Sequence, residues 1–242
     1  MIEFRFAPAV CDRFPELFAS ILVVRRWDNT VTGAVASEIL RLLRESESDL
    51  RRRTDSKSDL QNHTFVSPYF DMFRSFGANP KRVKPSHYAL AERVVGGGTL
   101  PNINPAVNLY NAFSVGHLVP FGGEDLDRVD TYFELTIADG TESWTPIGSD
   151  VPLATREGDV VWRDRSDVST TSLNHRQCEK TKLTAESHNA YFISEGFRGV
   201  NDEHIAKVAD MFRSVFTELL GGDWEQFVIN SDKPATSTSG DL

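Results

Sequence analysis

Residues 101–128, PNINPAVNLYNAFSVGHLVPFGGEDLDR, join turn formers, an amphipathic segment, one histidine, a glycine pair and three carboxylates. Pro105 suits the first position of a helix, where its missing N–H costs nothing, and Asn104 can cap the free amides of the first turn. Val107, Tyr110 and Ser114, with Leu109 and Phe113 on the neighbouring face, recur at helical spacing, and Asn108 and Asn111 share a polar edge. Gly116 is the expected stop, with His117 just beyond it. Val119 to Gly123 then reads as an extended approach to a glycine-permitted turn, closed by Glu124, Asp125 and Asp127. The active or binding site is expected here.

The hydrophobic period changes at this stretch, and that change sets the fold class. Upstream, Ile21–Val24 reads as a buried strand and Phe14, Leu17 and Phe18 as an amphipathic opening. Helices follow: one opening at Thr32-Gly33 through Val35, Ile39, Leu42 and Leu43, a core-facing aromatic stripe from Phe65 to Phe76, and one through Tyr88, Leu90, Val94 and Val95. Gly96–Gly98 reads as a connector rather than a phosphate loop, and Arg51–Arg53 as a solvated helix end. Downstream the pattern alternates. Tyr132–Ile137, Trp144–Ile147, Asp159–Arg163, Thr170–Asn174 and Ala190–Ser194 read as strands separated by Gly and Pro signals. A closing helix starts at the cap Asn201, buries Ile205, Val208, Phe212, Val215, Phe216 and Leu219, and stops at Gly221-Gly222. The expectation is an α/β chain of the α+β kind, with a helical first half and a sheet-rich second half. One domain is expected over 1–228, with a disordered tail over 229–242.

Composition narrows the classes. A chain of 242 residues, 40% hydrophobic and 25% charged, can bury one large core or two small ones. It has no run long enough to span a bilayer and no leader pattern, so a cytoplasmic location is expected. The net charge of -9 argues against wholesale nucleic-acid binding, although a local basic patch can still hold a phosphate backbone. The best such patch is Lys81, Arg82 and Lys84, in a Pro-punctuated loop without an acidic residue.

Three chemistries compete. No serine or cysteine sits at a Gly-flanked elbow, and Cys178 with His175 three residues away falls on opposite faces of an extended segment, so covalent catalysis is disfavoured. Cys11 and Cys178 read as reduced and structural. His117, Glu124, Asp125 and Asp127 could hold a metal only by converging on one point, and carboxylates capping the next element are the preferred reading, so no metal and no cofactor is expected. The third is a polar pocket where residues 101–128 meet Asn174–Thr184. Asn108, Asn111 and His117 with Asn174, Arg176, Glu179 and Thr181 could hold a zwitterionic or carbonyl-bearing ligand and orient water. Equally, Asn111 and Asn174 could satisfy buried backbone groups while Arg176 pairs with a structural Asp. The residues leave these two readings even.

Four collinear segments carry a resemblance: GANPKRVKPSHYALAERVV at 77–95, INPAVNLYNAFSVGHLVPFGGEDLDRV at 103–129, GDVVWRD at 158–164 and NHRQCEKTKLT at 174–184. Together they resemble free-standing relatives of the B3/B4 domain of the phenylalanyl-tRNA synthetase β subunit, over roughly Phe14 to Phe197. The resemblance implies two interwoven α/β subdomains and a trans-acting deacylase that hydrolyses a mischarged aminoacyl-tRNA. A non-catalytic tRNA or RNA-binding module and a binder of amino-acid-like small molecules are the alternatives. Tyr110-Asn111 matches the family's Thr-Asn pair, the family's histidine falls at or beside Gly122, and its tyrosine-recognising Glu falls near Glu179 or Lys180. Catalysis is then expected to lean on positioned water and the substrate's own hydroxyl, with Asn111, His117 and Thr181 as the catalytic set. Asn108, Tyr110, Gly122, Gly123, Asn174, Arg176 and Glu179 are expected to surround the substrate, and Lys81, Arg82 and Lys84 to meet tRNA phosphates.

Overall fold

The structure, a computed structural model, describes residues 1–239. Its elements in chain order are β1 (Glu3–Phe6), α1 (Pro8–Arg13), β2 (Leu17–Trp27), α2 (Gly33–Arg53), α3 (Lys57–Gln61), α4 (Ser67–Ser75), α5 (Ser86–Val95), α6 (Pro105–His117) and β3 (Gly122–Asp125). Then come β4 (Tyr132–Ile137), β5 (Ser143–Trp144), β6 (Leu153–Ala154), β7 (Val160–Arg163), β8 (Val168–Thr171), β9 (Arg176–Gln177), β10 (Asn189–Phe197), α7 (Asp202–Leu220), β11 (Gly221–Asn230) and β12 (Ala235–Ser237). This is the mixed helix and sheet architecture read from the change of period at residues 101–128.

Strand β2 serves two cores at once, because successive strand residues point to opposite faces. Leu17, Ala19, Ile21 and Val23 enter one core with Phe4, Phe133, Trp162 and Tyr191. Phe18, Leu22 and Val24 enter a second with Phe192, Phe212 and Phe216. β2 lies between β10 and β11 in an antiparallel four-stranded sheet of order β11-β2-β10-β3. Its first face meets a six-stranded sheet of order β12-β1-β4-β7-β8-β9, in which only the β1–β4 pair is parallel. Its second face is covered by α6 and α7. A third core joins α2, α4, α5 and α6 through Leu43, Leu50, Phe70, Tyr88, Val94, Ala112 and Val115.

Three local expectations are corrected. Helix α6 runs through Gly116 to His117, and Leu118 takes the left-handed cap (φ 54) while its buried side chain stays in the helical core. Gly116 instead lies against α2, where an added Cβ would sit 3.5 Å from Ser46 Cβ. Gly122 and Gly123 form no turn; they open β3, paired with β10. A Cβ at Gly123 would stand 2.5 Å from Phe192 Cε1, so close approach of the strands, not turn geometry, demands glycine there. Finally, the stretch 229–242 is not disordered where it is described. Ile229 and Asn230 close β11, and Ala235–Ser237 pair with Arg5–Glu3 as β12, with Thr238 Oγ1 accepting from Ile2 N at 2.9 Å. An edge strand is held by backbone hydrogen bonds, so small residues without apolar bulk suffice. Residues 240–242 lie outside the described residues.

Candidate active site

The two segments expected to meet do meet. Asp125 N donates to Thr181 O at 2.8 Å, Glu124 bridges to Lys182, and Gln177 Nε2 donates to Gly123 O at 3.2 Å. Beside this seam opens a cleft of about 300 Å³. Helix α5 gives it Ser86, Ala89 and Leu90, which share one helical face, and α6 gives it Tyr110 and Asn111. Phe133 and Trp162, stacked at 4.8 Å and 6°, form an apolar wall from the six-stranded sheet. Asn174, His175, Arg176 and Gln177 form the opposite polar wall, and Glu195 of β10 lies among them.

The hydrogen bonds separate the two readings the residues had left even. Asn174 is structural: its Nδ2 donates to Glu195 Oε2 at 3.2 Å and its Oδ1 accepts from Ser86 N at 3.3 Å. Asn111 is buried, lines the cleft, and its carboxamide makes no hydrogen bond among the described residues. Arg176 is exposed at the cleft and forms no ion pair among them. A buried amide and a guanidinium without internal partners are the groups left to meet a ligand.

Two further groups were not in the expected set. Glu195 is 2% exposed, accepting from Trp162 Nε1 at 2.7 Å as well as from Asn174. Burial pushes its carboxyl up to about 7 despite those donors, with the nearby Glu124 charge adding to the rise. It had escaped because the strand was expected to end at Ser194. The signal was there: Tyr191, Ile193 and Glu195 alternate onto one face, so extending the strand one residue places a carboxyl among core side chains. His175 had been weighed only as a partner for Cys178. Its Nδ1 lies 2.8 Å from Lys84 O and 3.2 Å from Lys84 N. The shorter contact assigns the proton to Nδ1, leaving Nε2 unprotonated in the neutral ring. Burial holds this imidazole below its ordinary value, with the Arg176 charge acting the same way.

Other expected residues stand apart from the cleft. His117, six residues beyond Asn111 at the last position of α6, stands roughly 9 Å further along the helix axis. Thr181 is buried under the seam, donating to Glu124 Oε2 at 2.5 Å and lying 3.2 Å from Cys178 Sγ; Thr170 Oγ1 donates to Glu124 Oε1 at 2.8 Å. Burial pushes the Glu124 carboxyl and the Cys178 thiol up, and the Glu124 oxygens are taken by Thr170 and Thr181, so this group is spent on the seam rather than offered to a ligand. Asn108 ties the turn before its own helix, accepting from Ile103 N and donating to Asn102 Oδ1. Gly122 lines the cleft, while Gly123 packs on Phe192. Glu179 pairs with Lys182 and accepts from Gly148 N at 2.9 Å, which fixes the loop whose Pro146 and Ile147 reach the cleft. Of the basic loop, Lys84 pairs with Glu92 at 2.5 Å, whereas Lys81 and Arg82 are exposed and unpaired among the described residues. Through Lys84 and Ser86 this loop is bonded to the polar wall.

A cleft walled by α5, α6, β3 and the 174–177 segment falls wholly within the part of the chain that matches a known family. The B3/4 domain matches residues 69–217, more than half of the sequence, and the chain belongs to that family. A solved structure, an N-terminal fragment of the phenylalanyl-tRNA synthetase β-subunit from Pyrococcus horikoshii, is similar over 93% of this chain at 11% identity and a TM-score of 0.47. The chain spans about half, 53%, of that fragment. No curated protein sequence matches the chain. No helix among the described residues is long and apolar enough to cross a membrane.

Proposed function

We propose that this B3/4-domain protein is a cytoplasmic aminoacyl-tRNA deacylase that acts in trans on a mischarged tRNA. The observation that carries the reading is the cleft in which the unbonded carboxamide of Asn111 and the unpaired Arg176 face an apolar wall of Phe133 and Trp162. A cleft of that volume suits one amino-acid residue with the ribose it esterifies. The side chain packs on Phe133, Trp162, Leu90 and Ile193, and Arg176 meets the adjoining phosphate. Lys81 and Arg82 extend the contact along the backbone, each through charge that no internal carboxylate neutralises.

The chemistry asks little of the protein, because the ester is already activated and positioning supplies much of the barrier reduction. Asn111 holds the attacking water. His175 accepts its proton at Nε2, oriented by the Nδ1 bond to Lys84 O. The water oxygen bonds to the carbonyl carbon and the C–O bond to the ribose breaks. The proton then passes to the ribose oxygen, leaving a free amino acid and a tRNA hydroxyl. The ribose's neighbouring hydroxyl can relay that proton, which suits a site where Gly122 offers only backbone.

Incubation of the purified protein with a panel of mischarged tRNAs tests the reading, with release of one amino acid expected and loss of that release in Asn111→Ala. Equal stability of every ester with and without the protein refutes it. The unpaired Lys81 and Arg82 favour a second reading, an RNA-binding module without turnover. That reading predicts tRNA binding that weakens steeply between two salt concentrations while every ester survives.

A further inference from the structure

We propose that Arg53, His63, His117, His204 and Lys207 form an oxyanion site for a phosphate ester, on a surface apart from the cleft and independent of the deacylase reading. The end of α2, the segment before α4, the end of α6 and the first turns of α7 converge there. His204 Nε2 lies 2.8 Å from His117 O, and the two imidazole centroids are 6.3 Å apart. Phe65 stacks on His204 at 4.0 Å and meets His63 at 5.4 Å, so one aromatic ring fixes two of the imidazoles.

The donors are largely unused. Arg53 spends Nη2 on the carbonyls that end α6, Val115 O and Gly116 O, and its Nε and Nη1 make no hydrogen bond among the described residues. His63 Nδ1 accepts from Phe65 N at 3.2 Å, which places its proton on Nε2. The His117 ring has no hydrogen bond, and Lys207 no ion pair, among the described residues. No acidic neighbour forms an ion pair with the group among the described residues: Asp49 on α2 acts on Arg53 through its charge but is paired with Arg52, and Glu203 does not reach Lys207 one turn along α7. Such an uncompensated concentration of basic groups fits a tetrahedral oxyanion that accepts several bonds at once. The mutual repulsion is visible in the imidazoles. Burial and then His204, Arg53 and Lys207 hold His117 down to about 4, and burial, Arg53 and His204 hold His63 below its ordinary value. A bound dianion reverses these charge effects, so anion binding strengthens as the pH falls.

The test follows the imidazole C2–H resonances from pH 4 to 8 in sodium sulfate and in sodium chloride of equal ionic strength. Sulfate keeps its charge throughout that range. The expected result is an upward shift of the His63 and His117 titrations by one unit or more in sulfate only. Each unit strengthens sulfate binding about tenfold between the neutral and the protonated imidazole. Lys207→Gln, at an exposed position, should raise the half-saturating sulfate concentration about threefold or more with the fold intact. Inorganic phosphate and a ribodinucleotide, as further probes, identify the source: the tighter of the two names a free anion or a phosphodiester. Titrations of His63 and His117 that are the same in all four solutions overturn the site, as does unchanged sulfate binding in Lys207→Gln.

Discussion

Replacing Glu195 by Gln isolates the one buried carboxyl in the cleft. In the native state the proton is held up to about 7, against an ordinary value of 4.5 when the chain unfolds. Between those values the folded protein binds more protons than the unfolded one, so this carboxyl's contribution is fully present below 4.5 and is lost as the pH rises through 7. The separation of the two values corresponds to about 3 kcal/mol lost by pH 8, at about 1.4 kcal/mol per unit. Gln carries no titratable proton but keeps an oxygen for Trp162 Nε1; its NH2 then faces Asn174 Nδ2, a constant cost of about 1–3 kcal/mol. Urea unfolding of both proteins at pH 4.5, 6, 7 and 8 should therefore give a stability difference that shrinks, and can reverse, by about 3 kcal/mol across the range. Taking the difference matters, because Glu124 and Asp159, also raised by burial, lose stability in the same direction. His63, His87 and His117, lowered by burial, act oppositely below 6.5. A difference that stays constant from pH 4.5 to 8 would falsify the assignment of a protonated Glu195.

Three other outcomes follow from the same geometry. His175→Ala should lower the rate of ester hydrolysis about 10²- to 10⁴-fold with little change in tRNA affinity, and in the wild type the acidic limb of the rate profile should lie below 6.5, because burial depresses this base. Thr181→Val leaves Glu124 short of its 2.5 Å donor and should cost about 1–3 kcal/mol in urea unfolding, while deacylation at saturating protein stays unchanged. A large loss of turnover in a folded Thr181→Val protein would return that hydroxyl to the chemistry. Gly123→Ala forces a methyl toward Phe192 Cε1 and should lower stability by about 1–3 kcal/mol, read as a reduced midpoint of thermal unfolding.

The sequence announced the elements whose periodicity is long and the segments whose polar residues cluster. The centre of strand β2 (its ends, Leu17-Phe18 and Arg25–Trp27, were not), helices α2, α4, α5 and α7, and the meeting of Asn111 with Asn174 and Arg176 were legible because each rests on spacing along a few turns or on contiguous residues. What escaped depends on the third dimension. Whether Asn111 or Asn174 is satisfied internally turns on Ser86 N and Glu195, residues far away in the chain. Gly116 reads as a helix stop and Gly122-Gly123 as a turn because glycine has one local signature for several causes. At Gly123 the cause is lack of room beside Phe192, which no local pattern encodes. His117 drew attention for its place beside the motif, yet it closes α6 away from the cleft that Asn111 lines. The Ala235–Ser237 strand was hidden because its partner is β1, at the other end of the sequence.

That last pairing has a consequence for how the molecule is made. β2 is flanked only by strands from after residue 188, and β1 has one neighbour, β12, that closes at Ser237. During synthesis from the N-terminus, the largely buried strand β2 waits without either partner until residues beyond 188 have been translated. Pairings this distant in sequence are slow to close. Until then the helices α2 to α6, whose contacts are local, can assemble around Leu43, Phe70 and Val94, while the strand that unites the two cores remains the segment most open to misassociation.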